Sequence, residues 1–423
     1  MKETCTRDSL SPGYSVSKSV DPSMLLSLPV ILHRVPRYEL GRRVVDRDRA
    51  GILTLTHAIK IDARAPLSHA WFLVIYPKAR KVVVTQRFFD AETMLYLRSN
   101  GCDVVIPELP RGQADGDVPH EILLEWLRGA VGWIVGHARV TRELLKELPE
   151  LQVIARRGVG FDRVDVTAIR DLGRVATIAA GGNDATVADQ TIGLMLALGR
   201  RFREGQQAMS EGSWAIPLGT DLYRKTVGIV GLGRIGRSVV KRLTGFEARI
   251  LVHTPRRDED LARTSGFEYV DLPEILSRSD YLTLHAPLTP QTRFLIREER
   301  IAQMKPTAFV INTARGGLVE DRDLLTALTS NRLAGAGLDV FMSESDATYH
   351  NVTRQLIALP NVIALPHAGA STREGLNRTN MVAAQCVVAV LNGTSVLPAC
   401  VVADGRSVTA RPNAGEIEQR ASS

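Results

Sequence analysis

The segment TVGIVGLGRIGRSVVKRL (226–243) constrains this chain more than any other stretch. It opens with an apolar run of strand length and ends with Val239, Val240 and Leu243 on one helical face. Between them Gly231, Gly233 and Gly236 stand in the spacing G-x-G-x-x-G. Gly231 permits a tight turn, Gly233 lets backbone approach a pyrophosphate, and Gly236 lets the helix pack close to the strand. The start of the helix offers free N–H groups and the positive end of a dipole to phosphates. A strand, glycine turn and helix in this order predict a Rossmann-type, dinucleotide-binding parallel sheet.

The surrounding pattern agrees. From about residue 79, strand-like runs (KVVVTQ, CDVVIPE, GWIVG, LQVIARR, VATIAA) alternate with helix-like ones (AETMLYLRSNG, PHEILLEWLRGA, TRELLKELPE, DVTAIRDLG). A second series, TVGIV, ARILVH, YLTLH, AFVINT, GAGLDVF and NVIALP, follows ATVADQTIGLMLALGRRFREGQQAM, which reads as one long helix over 185–209. Strands alternating with helices imply parallel sheets covered on both faces. The expected fold class is α/β with two domains. A helix at 373–392 is placed back against the first domain, which makes that domain discontinuous, 79–182 and 371–403, around a Rossmann domain at 183–370. Residues 1–78, with weak periodicity and an Arg-rich middle, are expected to be a disordered extension, and 404–423 a frayed tail.

Composition narrows the function. Of the formal net charge of +7, residues 1–78 carry +5, so the body is nearly neutral and no nucleic-acid surface is expected. Cys5, Cys102, Cys386 and Cys400 lie far apart with no metal-ligand spacing, which predicts free thiols in a reducing compartment and no metal site. No apolar run approaches a membrane span, and MLLSLPVIL carries Pro29 without a cleavage site after it, so a cytoplasmic protein is expected.

The strand ILVH ends at Thr254, eighteen residues after Gly236, where a Rossmann site usually carries the acid that holds the ribose hydroxyls of NAD. Here Arg256 and Arg257 follow. A carboxylate would repel a 2′-phosphate, whereas a threonine followed by guanidinium groups accommodates one. The residues therefore favour NADP(H), with NAD or the use of both cofactors as the competing reading.

Open α/β sheets bind ligands past the carboxyl ends of their strands. Three such ends here carry chemistry: AFVINT leads to Arg315, GLDVF to Glu344, and NVIALP to His367. A cation, a carboxylate and an imidazole at one edge suit hydride transfer to a 2-keto acid. His367 can protonate the carbonyl oxygen as charge develops, Glu344 can keep the imidazole protonated and aimed, and Arg315 can grip the substrate carboxylate.

The motifs ARRGVGFDRVDV, NDATVADQTIGLMLALGR, GSW, KTVGIVGLGRIG, LHAPLTPQTRFLI, MKPTAFVINTARGGLVED, AGAGLDVF and PHAGAST resemble, in that order, the D-isomer-specific 2-hydroxyacid dehydrogenase family over about residues 80–403. The resemblance implies a flavodoxin-like substrate domain, a homodimer and an active site in the cleft between domains. Arg315, Glu344 and His367 match the family's catalytic residues. Cofactor contacts are implied at Val159, Arg234, Ile235, Ala286, Thr313, Ala314, Asp339 and the loop His367 to Ala370, with Asp339 meeting the nicotinamide amide. The substrate carboxylate is implied against the backbone of Val159 and Gly160, with Arg156 or Arg157 nearby; the same two arginines also suit the outer edge of the sheet.

The resemblance points to a small 2-keto/2-hydroxy acid as the partner molecule. In phosphoglycerate dehydrogenases an arginine follows the strand matching GWIV, but here Gly136 stands there with His137 next, which favours an unphosphorylated 2-keto acid such as glyoxylate or hydroxypyruvate. A phosphoglycerate-type dehydrogenase is the alternative within enzymes. A non-enzymatic, cofactor-sensing protein like the family's C-terminal binding protein corepressors is the alternative outside them, because those keep the same trio. No regulatory ligand-binding domain is expected after residue 403.

Overall fold

The computed structural model describes residues 80–110 and 112–406, and the backbone of two earlier strands. These, β1 (Val30–Arg34) and β2 (Trp71–Ile75), pair antiparallel with Val30 opposite Ile75. They fall in a unit of their own, residues 1–80, separate from residues 81–423. Apart from these strands, the disorder expected for 1–78 lies outside the described residues, as does the tail beyond 406.

In the larger unit the strands are β3 (Arg80–Val84), β4 (Cys102–Val105), β5 (Gly132–Val135), β6 (Val153–Arg156), β7 (Val175–Ile178), β8 (Thr226–Val230), β9 (Arg249–His253), β10 (Phe267–Tyr269), β11 (Tyr281–Leu284), β12 (Phe309–Asn312), β13 (Gly335–Leu338), β14 (Val362–Ala364) and β15 (Val401–Asp404). They form two sheets. The first has the order β15-β7-β6-β5-β3-β4, the second β10-β9-β8-β11-β12-β13-β14. Without β15 the first is the 2-1-3-4-5 order of flavodoxin-like sheets. In the second, every pairing is parallel. From β8 the chain steps outward to β9 and β10, then returns to the other side of β8 as β11. This reversal leaves a crevice at the carboxyl end of β8, where the glycine turn sits.

Side chains alternate across a strand, so a strand covered on both faces must be apolar throughout. In β3, Val82 and Val84 enter one core with Ile134 and Val153, while Val83 enters the other with Trp133 and Ile154. Trp133 is fully buried, and truncation to alanine is expected to cost about 3–5 kcal/mol. The helix Arg373–Leu391 lays Ala383, Ala384, Val387 and Val390 into the first of these cores. It packs on β5, β6 and β7, so a late segment of the chain completes the first domain. The unanticipated edge strand β15 departs from the expected parallel arrangement and runs antiparallel to β7. It contains Asp404, so the expected tail boundary falls inside a strand.

The single helix expected over 185–209 is two helices, Asp184–Gly199 and Phe202–Ser210. The break falls at Gly199. Gly199 is so closely packed that a Cβ there would lie 2.3 Å from the Tyr281 hydroxyl oxygen. Its carbonyl accepts a hydrogen bond from Thr220 N at 2.7 Å instead of continuing the helix. Arg201 then turns left-handed, with φ of 53°. Gly199 in LALGRR was a stop signal that the continuous hydropathy masked.

Candidate active site

Strands β12, β13 and β14 are neighbours and parallel, so their carboxyl ends present Arg315, Glu344 and His367 along one edge. The imidazole and the carboxylate meet: Nδ1 of His367 lies 2.7 Å from Oε2 of Glu344. The other carboxylate oxygen accepts from Phe341 N at 2.9 Å, which fixes the acid's orientation. Desolvation pushes the Glu344 carboxyl up, but the hydrogen bond and charge of His367, helped by Phe341 N–H and Arg315, hold it below its ordinary value. With Nδ1 engaged, Nε2 is the nitrogen left to meet a substrate.

His367 itself has a left-handed backbone, φ 54°. Asp339, at the end of β13, pins that turn. Its carbonyl accepts from His367 N at 2.8 Å, and its two carboxylate oxygens accept from Ala368 N and Gly369 N at 2.7 and 2.8 Å. Asp339 is 1% exposed. Burial pushes its carboxyl above the ordinary value, while the two loop N–H groups and the charge of His367 oppose the rise. Asp339 therefore shapes the loop that aims the imidazole, while retaining carboxylate lone pairs for a further donor.

Arg315 reaches across to the first domain. Its Nε donates to Asp162 Oδ2 at 2.7 Å and its Nη1 to the carbonyl of Ala314 at 2.6 Å. A Cβ built on Gly160 would lie 1.5 Å from Arg315 Nη2, so the guanidinium lies directly against the Gly160 backbone. Arg156 Nε donates to the Gly160 carbonyl at 2.9 Å, and its buried Nη1 has no partner.

The glycine turn is built as a phosphate cradle. Gly231 has φ of 98°, and a Cβ there would come within 2.7 Å of Ala286 N and the His285 carbonyl. Ala286, after β11, is therefore brought against the turn. A Cβ on Gly236 would lie 2.3 Å from the Gly231 carbonyl oxygen, which accounts for the third glycine. A Cβ on Gly233 would meet only open space, so nothing inside the protein demands that glycine. Gly233 caps the helix Arg234–Leu243, and its bare backbone fits a ligand phosphate.

The description "D-isomer specific 2-hydroxyacid dehydrogenase, NAD binding domain" matches residues 192–369. The glyoxylate reductase of Thermofilum pendens is 36% identical over 321 residues, 74% of this chain and 92% of that protein. The chain belongs to this family. The D-3-phosphoglycerate dehydrogenase of Methanocaldococcus jannaschii is 37% identical over 293 residues, 68% of this chain but 55% of that longer protein. Among solved structures, D-lactate dehydrogenase from Aquifex aeolicus complexed with NAD and lactic acid superposes with a TM-score of 0.66 at 28% identity, covering 76% of this chain and 99% of that one. This D-isomer-specific 2-hydroxyacid dehydrogenase is thus a 2-keto acid/D-2-hydroxy acid oxidoreductase with an NAD(P)-binding domain.

The dehydrogenase's other expected contacts fall at carboxyl ends of strands. Thr313 and Ala314 follow β12; the Thr313 hydroxyl pairs with Thr191 Oγ1 at 3.0 Å, and Ala314 N donates to Asn312 Oδ1 at 3.1 Å. Ala370 ends the His367 loop and Val159 is half-buried after β6. Thr254 ends β9 half-buried, Arg256 is exposed, and the Arg257 guanidinium lies 5.6 Å from the centre of the Tyr269 ring. Arg156 and Arg157 diverge, as neighbours at a strand end must. Only Arg156 turns to Gly160. Arg157 donates to the Arg87 carbonyl and to Gln86 Oε1 at 2.6 and 2.7 Å.

Sequence reasoning missed three residues of this site. His137, after β5, has its ring 5.8 Å from that of His367, nearly perpendicular. Although its side chain is open to the cleft, the surrounding protein desolvates it and, with the charge of Arg156, lowers it to about 4, so it is neutral near pH 7. Arg163 donates to the His137 carbonyl at 2.9 Å and to the Glu344 carbonyl at 3.3 Å. Asp162 holds Arg315. The strand-end rule covers His137, and DR in GFDRVDV was a visible charged pair, but nothing local shows what either faces. Among the described residues there is no group of three or more metal-ligating side chains, and no helix is long and apolar enough to cross a membrane.

Proposed function

We propose that this enzyme reduces a short 2-keto acid to its D-2-hydroxy acid with a preference for NADP(H). The contact between His367 and Glu344 beside Arg315 carries the reading. When bound, the nicotinamide cofactor supplies hydride to the carbonyl carbon. Gly231, Gly233 and the start of the helix Arg234–Leu243 hold its phosphates, and Thr254, Arg256 and Arg257 hold the 2′-phosphate. Arg315, with the backbone of Val159 and Gly160 and with Arg156, holds the substrate carboxylate and polarises the carbonyl. His367 Nε2 delivers the proton to the carbonyl oxygen, and Glu344 stabilises the imidazolium from behind. Domain boundaries at 182/183 and 370/371 put these groups on both walls of one cleft.

The same reading makes the enzyme a cytoplasmic homodimer. Cys386 and Cys400 are buried as unbridged thiols, which suits a reducing compartment. Trp214, Ile216 and Leu218 are 82%, 94% and 90% exposed on one short segment. So much apolar surface in one place supports a partner subunit there. A Trp214→Ser, Ile216→Ser variant is then a monomer by light scattering; an unchanged mass overturns the dimer.

Glyoxylate, hydroxypyruvate and pyruvate, each assayed with NADPH and with NADH, test the activity. Oxidation of NADPH with at least one of them is the expected result. No turnover with any keto acid and either cofactor would favour the corepressor-like alternative.

A further inference from the structure

Two adjacent residues of the loop after β6 cross to the second sheet. Asp162 accepts from Arg315 Nε at 2.7 Å, and Arg163 Nη2 donates to the carbonyl of Glu344 at 3.3 Å. One dipeptide thus reaches the segments that carry Arg315 and Glu344. The Asp162 bond grips a side chain. The Arg163 bond grips backbone, at the end of the short helical turn Met342–Glu344, where carbonyls lack a partner within the turn.

The first-sheet end of Arg163 is fixed at several points. Its own carbonyl accepts from Val140 N at 2.9 Å, and Asp165 N donates to the Val140 carbonyl at 2.9 Å, which stitches the loop to the segment after β5. Its Nη1 donates to the His137 carbonyl at 2.9 Å. Asp115, 1% exposed, braces that same turn: its carboxylate accepts from Gly136 N, His137 N and Thr85 Oγ1 at 2.8, 2.6 and 2.9 Å. The Gly116 backbone packs on the contact, since a Cβ there would lie 3.1 Å from Arg163 Nη1 and 3.0 Å from the His137 carbonyl oxygen. Of the bonds Arg163 makes, the one to Glu344 is the longest and the one that joins the two sheets. It is therefore the bond that yields when the sheets move apart.

We propose that Arg163 is a positioning residue, a latch that seats Glu344 behind His367 when the two sheets are drawn together. Its side-chain bonds go to backbone, so it acts through Glu344 and not on the substrate. The Glu344 carboxylate meets His367 Nδ1 at 2.7 Å, and a retreat of its backbone by about an ångström would carry that bond beyond hydrogen-bonding range. Proton delivery is thereby tied to closure. A guanidinium suits the task, because its planar fork offers N–H groups to two carbonyls at once, where an ammonium is a single point. The inference rests on the reading of His367 and Glu344 as the proton-delivering pair.

The test uses the full-length enzyme. In Arg163→Ala the single-turnover oxidation of bound reduced cofactor by a keto acid should slow about tenfold or more, while the cofactor Kd stays within about twofold. Ethylguanidinium should restore most of the rate and ethylammonium should not; Arg163→Lys should stay well below wild type. Gly116→Ala, which crowds the latch without removing it, should slow the same step to a smaller degree. Amide hydrogen exchange across Met342–Asp346 should quicken in Arg163→Ala, a readout that needs no turnover. A single-turnover rate within about threefold of wild type overturns the latch. So does a slower rate that ethylguanidinium leaves unchanged and that comes without faster exchange at Met342–Asp346. If the wild-type enzyme turns over no keto acid, the reading of the His367–Glu344 pair fails instead, and the exchange comparison alone decides the latch: equal exchange in the two proteins overturns it.

Discussion

Glu344 and His367 lie 23 residues apart in sequence, yet Oε2 of one sits 2.7 Å from Nδ1 of the other. The pair leaves Nε2 as the proposed proton donor. The Glu344 carboxyl sits below its ordinary value, so it is ionised through the neutral range. Glu344→Gln keeps an acceptor for Nδ1 but removes the negative charge beside the ring. If that charge supports proton delivery, kcat for reduction at neutral pH should fall by about tenfold or more while the KM for the keto acid changes little. Wild-type kcat in Glu344→Gln would show that Glu344 only holds the ring.

Gly160 marks where the first domain meets Arg315. A methyl group there would occupy space 1.5 Å from Nη2, and the guanidinium is the far end of a flexible side chain. Gly160→Ala should therefore fold normally and displace Arg315 by an ångström or more. If Arg315 grips the substrate as proposed, such a shift costs roughly 100-fold in kcat/KM. Unchanged kinetics, with an unchanged melting temperature, would mean that the guanidinium has a second productive position.

These two contacts differ in how visible they were. The strand ends were legible because alternating apolar runs and a glycine turn imply a parallel sheet, and a parallel sheet puts Arg315, Glu344 and His367 on one edge. The Gly231 turn was legible from spacing alone. The contacts of Arg315 with Asp162 and of Arg163 with Glu344 were not, because they join residues 153 and 181 positions apart across two domains. No local pattern encodes which loop faces which. The helix break was missed for a different reason: Gly199 was visible as a stop, but the apolar pattern runs on past it, and the Thr220 amide that takes its carbonyl is distant in sequence. The edge strand β15 was missed because it is short and only its pairing with β7 gives it a partner.

Asp321, the first residue of the helix Asp321–Thr329, is 2% exposed and accepts from Met342 N at 2.9 Å. Burial raises it to about 7; the Met342 N–H opposes the rise, and Glu320 and Glu344 add to it. The folded state thus binds a proton that the unfolded state has released, between about pH 4 and about pH 7. Stability must fall as pH rises through that window. Asp321→Asn keeps an oxygen for Met342 N–H and removes the charge, so its gain over wild type should grow from pH 5 to pH 8. The growth is on the order of a few kcal/mol in unfolding experiments. A constant difference between the two proteins across that range would mean that Asp321 is ionised throughout.

The proposed cofactor preference turns on the end of β9. Thr254 is half-buried there and leaves room that a carboxylate would fill with negative charge. Arg257 is steadied against the Tyr269 ring, while Arg256 is exposed and free to swing. Thr254→Asp introduces an acceptor for ribose hydroxyls and a repeller of the 2′-phosphate, so both effects act in one direction. The ratio of kcat/KM for NADPH over NADH should fall by about 10- to 100-fold, the scale of one or two charge-assisted contacts. Arg256→Gln should lower the same ratio by raising the KM for NADPH, and higher salt should mimic it because the contact is exposed. A wild-type enzyme that already prefers NADH would overturn this reading: the arginines would then be solvated loop residues, and the catalytic edge would stand without them.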